Sequence, residues 1–113
     1  LIIIKKIRIM NLPKVVADLV RAQDNFDSVS YSNCFSETAE VFDEGQTYNG
    51  KTEIRDWIEK ANQAYRITMK PIDYSEYEQI LKAKISGTFD GSPVVLTYYF
   101  EIKDNKIQSL KII

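Results

Sequence analysis

Two periods of hydrophobic spacing divide this chain. Ile54, Trp57, Ile58, Ala61 and Tyr65 recur every three or four residues, with Glu53, Asp56, Glu59, Lys60 and Gln63 opposite them, as on a helix lying against a sheet. Just before, Ala39, Val41 and Asp43 alternate with Glu40, Phe42 and Glu44, the two-residue period of a strand. Asn49-Gly50 supplies a turn between them, since both residues tolerate positive φ. Residues 39–58 therefore read as strand, turn and helix, and Asp43 shares a face with Ala39 and Val41. A carboxylate on a buried face needs a partner, a pKa raised by lost solvent, or a chemical role.

The rest of the pattern builds around that stretch. Asn11-Leu12-Pro13 opens a helix whose inner face is Val16, Leu19, Val20, Gln23 and Phe26 and which ends near Asn25, because Pro is tolerated in a first helical turn. Asp27-Ser28 caps a short second helix carrying Tyr31, Cys34 and Phe35 inward, and Ser36-Glu37-Thr38 is expected to break it before a strand starting at Ala39. Beyond the long helix, residues 66–74 are extended, with Pro71 marking an edge position or a bulge. Tyr77, Leu81, Ala83, Ile85 and Phe89 then alternate with Glu78, Lys82, Lys84 and Thr88. After the turn signal Asp90-Gly91, Val94, Leu96, Tyr98, Phe100 and Ile102 share one face, and Asp104-Asn105 turns the chain back so that Leu110 and Ile112 point inward. Three helices followed by a strand meander predict an α+β domain. Its expected form is a cone-shaped, strongly curved antiparallel sheet packed on one long and two shorter helices, with Asp43 and Tyr98 lining the pocket that such curvature leaves.

Composition narrows the chemistry. The chain has 113 residues, enough for one core, and 15 basic against 16 acidic residues give a net charge of −1, without the basic excess of a general nucleic-acid or acidic-membrane binder. It has no His and one Cys, which removes disulfide frameworks, Cys-His and Ser-His-Asp nucleophiles and thiolate zinc sites, so no metal or cofactor is expected. Acid–base work falls to carboxylates, Tyr or Lys. Cys34, next to Phe35, reads as a core residue. The opening LIIIKKIRI is broken by Lys5, Lys6 and Arg8, so it is neither a membrane span nor a signal core, and a cytoplasmic protein is expected. It begins with Leu while Met10 offers a second start, which marks residues 1–9 as an N-terminal extension; it reads as an added edge strand or as a translation artefact. Residues 10–113 form the single domain.

The succession of helix, short helix, ETAEVFDEGQTYNGKTEIRDWI and GTFDGSPVVLTYYFEIKDNKIQSLKI resembles the nuclear transport factor 2-like superfamily, above all its small SnoaL-like members, over residues 10–113. The motifs that carry the resemblance are the acidic end of the first strand, the Tyr-Asn-Gly turn, the Ile-Arg-Asp-Trp-Ile helix and the Gly-Ser-Pro hairpin. The superfamily includes ketosteroid isomerases, polyketide cyclases, epoxide hydrolases, dehydratases and non-catalytic binding modules. The resemblance places Asp43 at the isomerases' general base, Leu19 at their oxyanion-hole Tyr and Tyr98 near their protonated oxyanion Asp, so it does not imply steroid isomerisation.

Two function classes stay open. In one, Asp43 is the base and Tyr98 the hydrogen-bond donor or acid of a proton-transfer enzyme of isomerase, dehydratase or cyclase type acting on a small apolar ligand. Leu19, Val41, Tyr48, Trp57, Leu96 and Phe100 would line its pocket. In the other, the domain is a ligand-binding or dimerisation module without turnover, and Asp43 holds the strand in register. Val95, Thr97 and Tyr99 face away from the pocket side and predict a homodimer surface.

Overall fold

The computed structural model describes residues 11–113, so the expected extension over residues 1–9 lies outside the described residues. Helix α1 spans Lys14–Asp24, with Pro13 just before it accepting the Ala17 N–H at 2.9 Å. Its buried residues are Val15, Val16, Leu19, Ala22 and Gln23. Helix α2 spans Ser28–Ser32, capped by the Asp27 carboxylate, which accepts the Ser30 N–H at 3.0 Å.

Strand β1 covers Phe35–Asp43, so Ser36-Glu37-Thr38 lies inside a strand and does not precede one. The register against the central strand slips between Phe35 and Glu40, and Gln108 fills the irregularity, accepting the Ser36 hydroxyl at 2.8 Å and donating to the Thr38 carbonyl at 3.3 Å. Local propensity marks those polar residues as breakers; a side chain 70 and 72 positions away from them supplies the hydrogen bonds that keep them extended. Glu44-Gly45, both at positive φ, then turn the chain into β2, Gln46–Asn49, a strand the alternation pattern was too short to reveal.

Helix α3, Gly50–Tyr65, starts where the Asn49 N–H donates to the Glu53 carboxylate at 2.8 Å and stops at Arg66, whose φ of 51° is left-handed and whose N–H returns to the Asn62 carbonyl. Ile54 and Ile58 are buried, Trp57 and Ala61 are half-buried, and Tyr65 at the end of the stripe is exposed. Between α1 and α3 Gln23 makes a long-range polar link in the core, donating to Asn62 at 2.7 Å and, just beyond α3, to the Ile67 carbonyl at 2.9 Å. Both groups are thereby satisfied in a place where an unpaired amide would cost about 1–3 kcal/mol.

The remaining strands are β3 Thr68–Ser75, β4 Ile80–Ser86, β5 Val94–Lys103 and β6 Lys106–Ile112. Together they make one open, six-stranded sheet of order β2-β1-β6-β5-β4-β3, antiparallel throughout except for the β1–β6 pair. Pro71 sits on the edge strand at a register slip, which is where a residue without an N–H does least damage. Tyr77, expected inward on β4, is instead 97% exposed, because the chain turns at residues 76–79 and the strand begins only at Ile80. The helices cover the inner face: α3 on β1 and β2, α1 on β3, with α2 between them. Phe35, Ala39, Val41, Leu81, Ala83, Ile107 and Leu110 close the core beneath.

Candidate functional site

Register places the two expected site residues in one row. Asp43 pairs with Ile112, Ile112 with Tyr98, and Tyr98 with Leu81, so the carboxylate and the phenol stand on the inner face on either side of Ile112. Their backbones are two strand spacings apart, roughly 9–10 Å. Asp43 is the last residue of β1, immediately before the Glu44-Gly45 turn, and this end position leaves it half-buried while Val41 is fully enclosed.

Loss of solvent around Asp43 raises its carboxyl above the ordinary value of 3.8, and the adjacent Glu44 carboxylate adds to the rise. The Trp57 side chain opposes the rise, with a smaller effect than burial or Glu44. Tyr98, 6% exposed, is pushed well above the usual phenol value by burial and then by the charge of Asp43. Tyr31 on α2 shifts the same way, first by burial and then through Tyr98, Cys34 and Asp43. Both phenols are therefore held protonated, as donors. Tyr31 is a core residue, as its inward position with Cys34 predicted. Trp57 joins the two sides of the cluster, edge-on to Tyr31 at 6.1 Å and stacked on Tyr48 at 5.4 Å.

Beside Asp43 opens a cleft of about 840 Å³, walled by Phe42, Tyr65, Ile85, Phe89, Leu96 and Ile112, with Glu44, Thr88 and Asp90 at its polar positions. The loop between β4 and β5 forms one wall and is tied to the end of α3: the Thr88 N–H donates to the Tyr65 carbonyl at 2.8 Å. Gly87 makes this approach possible, since a Cβ there would sit 2.5 Å from the same carbonyl oxygen. Of the residues expected to line a pocket, Leu96 joins Asp43 in this wall. Tyr48 and Trp57 line a second groove of about 510 Å³ around the same Glu44 and Tyr65. Leu19 and Val41 are wholly enclosed in the core, and Phe100 and Tyr98 lie behind the cleft's surface. Phe89, Tyr65 and Ile112 were legible as inward or stripe residues, but only the loop's return to the helix end makes a wall of them.

A carboxylate with a raised pKa at the edge of an apolar cleft can take a proton from carbon or oxygen, and a protonated phenol can donate to the oxygen on which negative charge develops. An open sheet packed, among the described residues, against three helices defines the class of fold. The chain belongs to the SnoaL-like, polyketide cyclase-like branch of the nuclear transport factor 2-like superfamily. It is 35% identical to a candidate polyketide cyclase from Sinorhizobium meliloti, across 91% of this chain and 96% of that one, with a TM-score of 0.85.

Two further solved structures share the fold at lower identity. One is a protein of ketosteroid isomerase-like fold from Catenulispora acidiphila, in complex with trimethylamine, at 16% identity, 91% and 86% coverage and a TM-score of 0.74. The other is SalBIII, an epoxide hydrolase/cyclase-like enzyme of pyran ring formation in the polyether salinomycin, at 17% identity, 88% and 86% coverage and a TM-score of 0.75. No family model matches the sequence, and no curated protein matches it. Among the described residues no helix is long and apolar enough to cross a membrane.

Proposed function

We propose that the cleft beside Asp43 binds a small, largely apolar molecule and that Asp43 acts on it as a general base, in proton transfer of the isomerase, dehydratase or cyclase type. One observation carries the reading: the carboxylate that desolvation and Glu44 hold above its ordinary pKa is also a wall of the apolar cleft. A ligand carbon acid or hydroxyl would lose its proton to Asp43, and the negative charge would settle on a ligand oxygen; Tyr98, next in the row beyond Ile112, would donate to that oxygen only for a ligand that reaches past Ile112. Asp43 returns the proton at the product carbon or to the leaving oxygen, so the group ends as it began.

The second reading, a binding or dimerisation module without turnover, draws support from the place of Tyr98. It stands behind Ile112 and outside the cleft wall, so a ligand in the cleft would meet the base before any donor. A second copy of the chain would sit on the outer sheet face, where Val95 and Tyr99 remain exposed. Lys82 and Lys84 pair with Thr97 and Val95 in the adjoining strand, so two such faces must meet off-centre to keep like charges apart.

Native mass spectrometry of freshly purified protein tests the reading in one spectrum. The expected result is a non-covalent mass excess of a few hundred daltons on the folded species, lost on denaturation, together with a two-chain species. A bare single-chain mass, joined to no thermal shift with any member of an apolar ligand panel, would remove both the ligand and the dimer.

A further inference from the structure

The charge of the cleft is as one-sided as its shape. Its walls contain three carboxylates, Asp43, Glu44 and Asp90, and no Lys or Arg. None of the three belongs to an ion pair among the described residues. Nor do any three acidic side chains gather tightly enough there to hold one metal ion, so the negative potential is spread along the opening and not focused on a point. Apart from Thr88 and Gly45, the remaining surface is aromatic and aliphatic. Tyr65 and Phe89 meet edge-to-face at 6.1 Å and 88°, and Tyr65 keeps much of its ring in the open. The Phe42 ring already receives a cation from the sheet's outer side, with the Lys111 ammonium 5.8 Å from its centroid.

An anionic ligand entering this cleft would meet three like charges in its walls, with Lys111, across the Phe42 ring, as the positive charge beside them. A neutral ligand would leave the Asp43–Glu44 repulsion in place. A ligand with an apolar body and a positively charged nitrogen satisfies both halves of the lining, since the body covers Ile85, Leu96 and Ile112 while the nitrogen lies between carboxylates and ring faces. We infer that the cleft selects an organic ammonium, a protonated or quaternary amine on a hydrocarbon body, over neutral and anionic molecules of the same shape. This rests on the reading that the cleft is the ligand site.

The test uses three probes with one hydrocarbon chain: octyltrimethylammonium, octanol and octanoate, each kept below its micelle concentration and titrated calorimetrically at low ionic strength. The ammonium is expected to bind about 10-fold or more tightly than the alcohol, the carboxylate weakest, with the gap narrowing in high salt. In a Glu44→Gln, Asp90→Asn double variant, whose changes keep side-chain shape at exposed positions, the ratio of ammonium to octanol affinity should fall to about 3-fold or less. Octanol or octanoate binding as well as the ammonium would overturn the charge selection and leave the ligand site standing. A preference undiminished in the double variant would overturn it too, since the carboxylates would not be its cause. If none of the three binds, the ligand site itself is wrong and the selection falls with it.

Discussion

Asp43→Asn should lower turnover about 100-fold or more while ligand affinity changes little, because the amide keeps the carboxylate's shape and cannot accept a proton. The two readouts separate the two readings. An enzyme loses kcat at nearly constant KM, whereas a passive module has no turnover to lose and shows at most an altered affinity. The same variant has a second expected effect, on stability. The folded-state pKa of Asp43 lies above its unfolded value, so between the two the folded protein holds more protons and stability falls as pH rises. The penalty is complete once the pH has risen above the folded pKa and is gone well below the ordinary value of 3.8. Asn carries no charge at any pH. Asp43→Asn should therefore denature at a higher urea concentration than the parent at pH 7, with the advantage shrinking toward pH 3. A stabilised but inactive variant is what a residue kept for chemistry produces, and a destabilised one would mark Asp43 as a strand-register residue.

Phe35→Ala should cost about 3–5 kcal/mol, the range for truncating a fully buried aromatic side chain. Phe35 has no exposed surface, opens β1 opposite Ile107 and packs its ring 5.8 Å from that of Tyr31. Its loss empties the junction where α2 feeds the sheet, and for a domain whose whole stability is about 5–15 kcal/mol that is a large fraction. Urea denaturation with the m-value held fixed is the measurement. A midpoint within error of the parent would mean that α2 and the start of β1 do not share the core.

Tyr31 packs at that junction, and the sequence showed the core there more readily than it showed the cleft. Periodicity located Asp43, Leu96 and Tyr98 on the inner face because strand parity is a local property, readable from two or three neighbours. It also located Ile54 and Ile58, buried as the helical stripe requires. Parity could not tell how deep in the cone a residue lies. Asp43 reaches the cleft because β1 ends there, while Tyr98, of the same parity, is covered by Ile112 and its neighbours. The cleft walls depend on long-range encounters: the loop after β4 touching the end of α3 through Gly87 and Thr88, and Gln108 holding β1 extended through residues that locally favour a break. β1 also returns beside β6 in the sheet's one parallel pair, a pairing that no short window of residues encodes.

The central claim is that Asp43 is a proton acceptor tuned by its place at the mouth of the cleft. The most direct measurement is a carbon-detected NMR titration of the Asp43 side-chain carboxyl in the ligand-free protein, assigned by comparison with Asp43→Asn. A midpoint above 3.8 is expected, lowered again when the neighbouring charge is removed in Glu44→Gln. A midpoint at or below 3.8, unmoved by Glu44→Gln, would contradict the account and leave Asp43 an ordinary solvated carboxylate at the end of a strand.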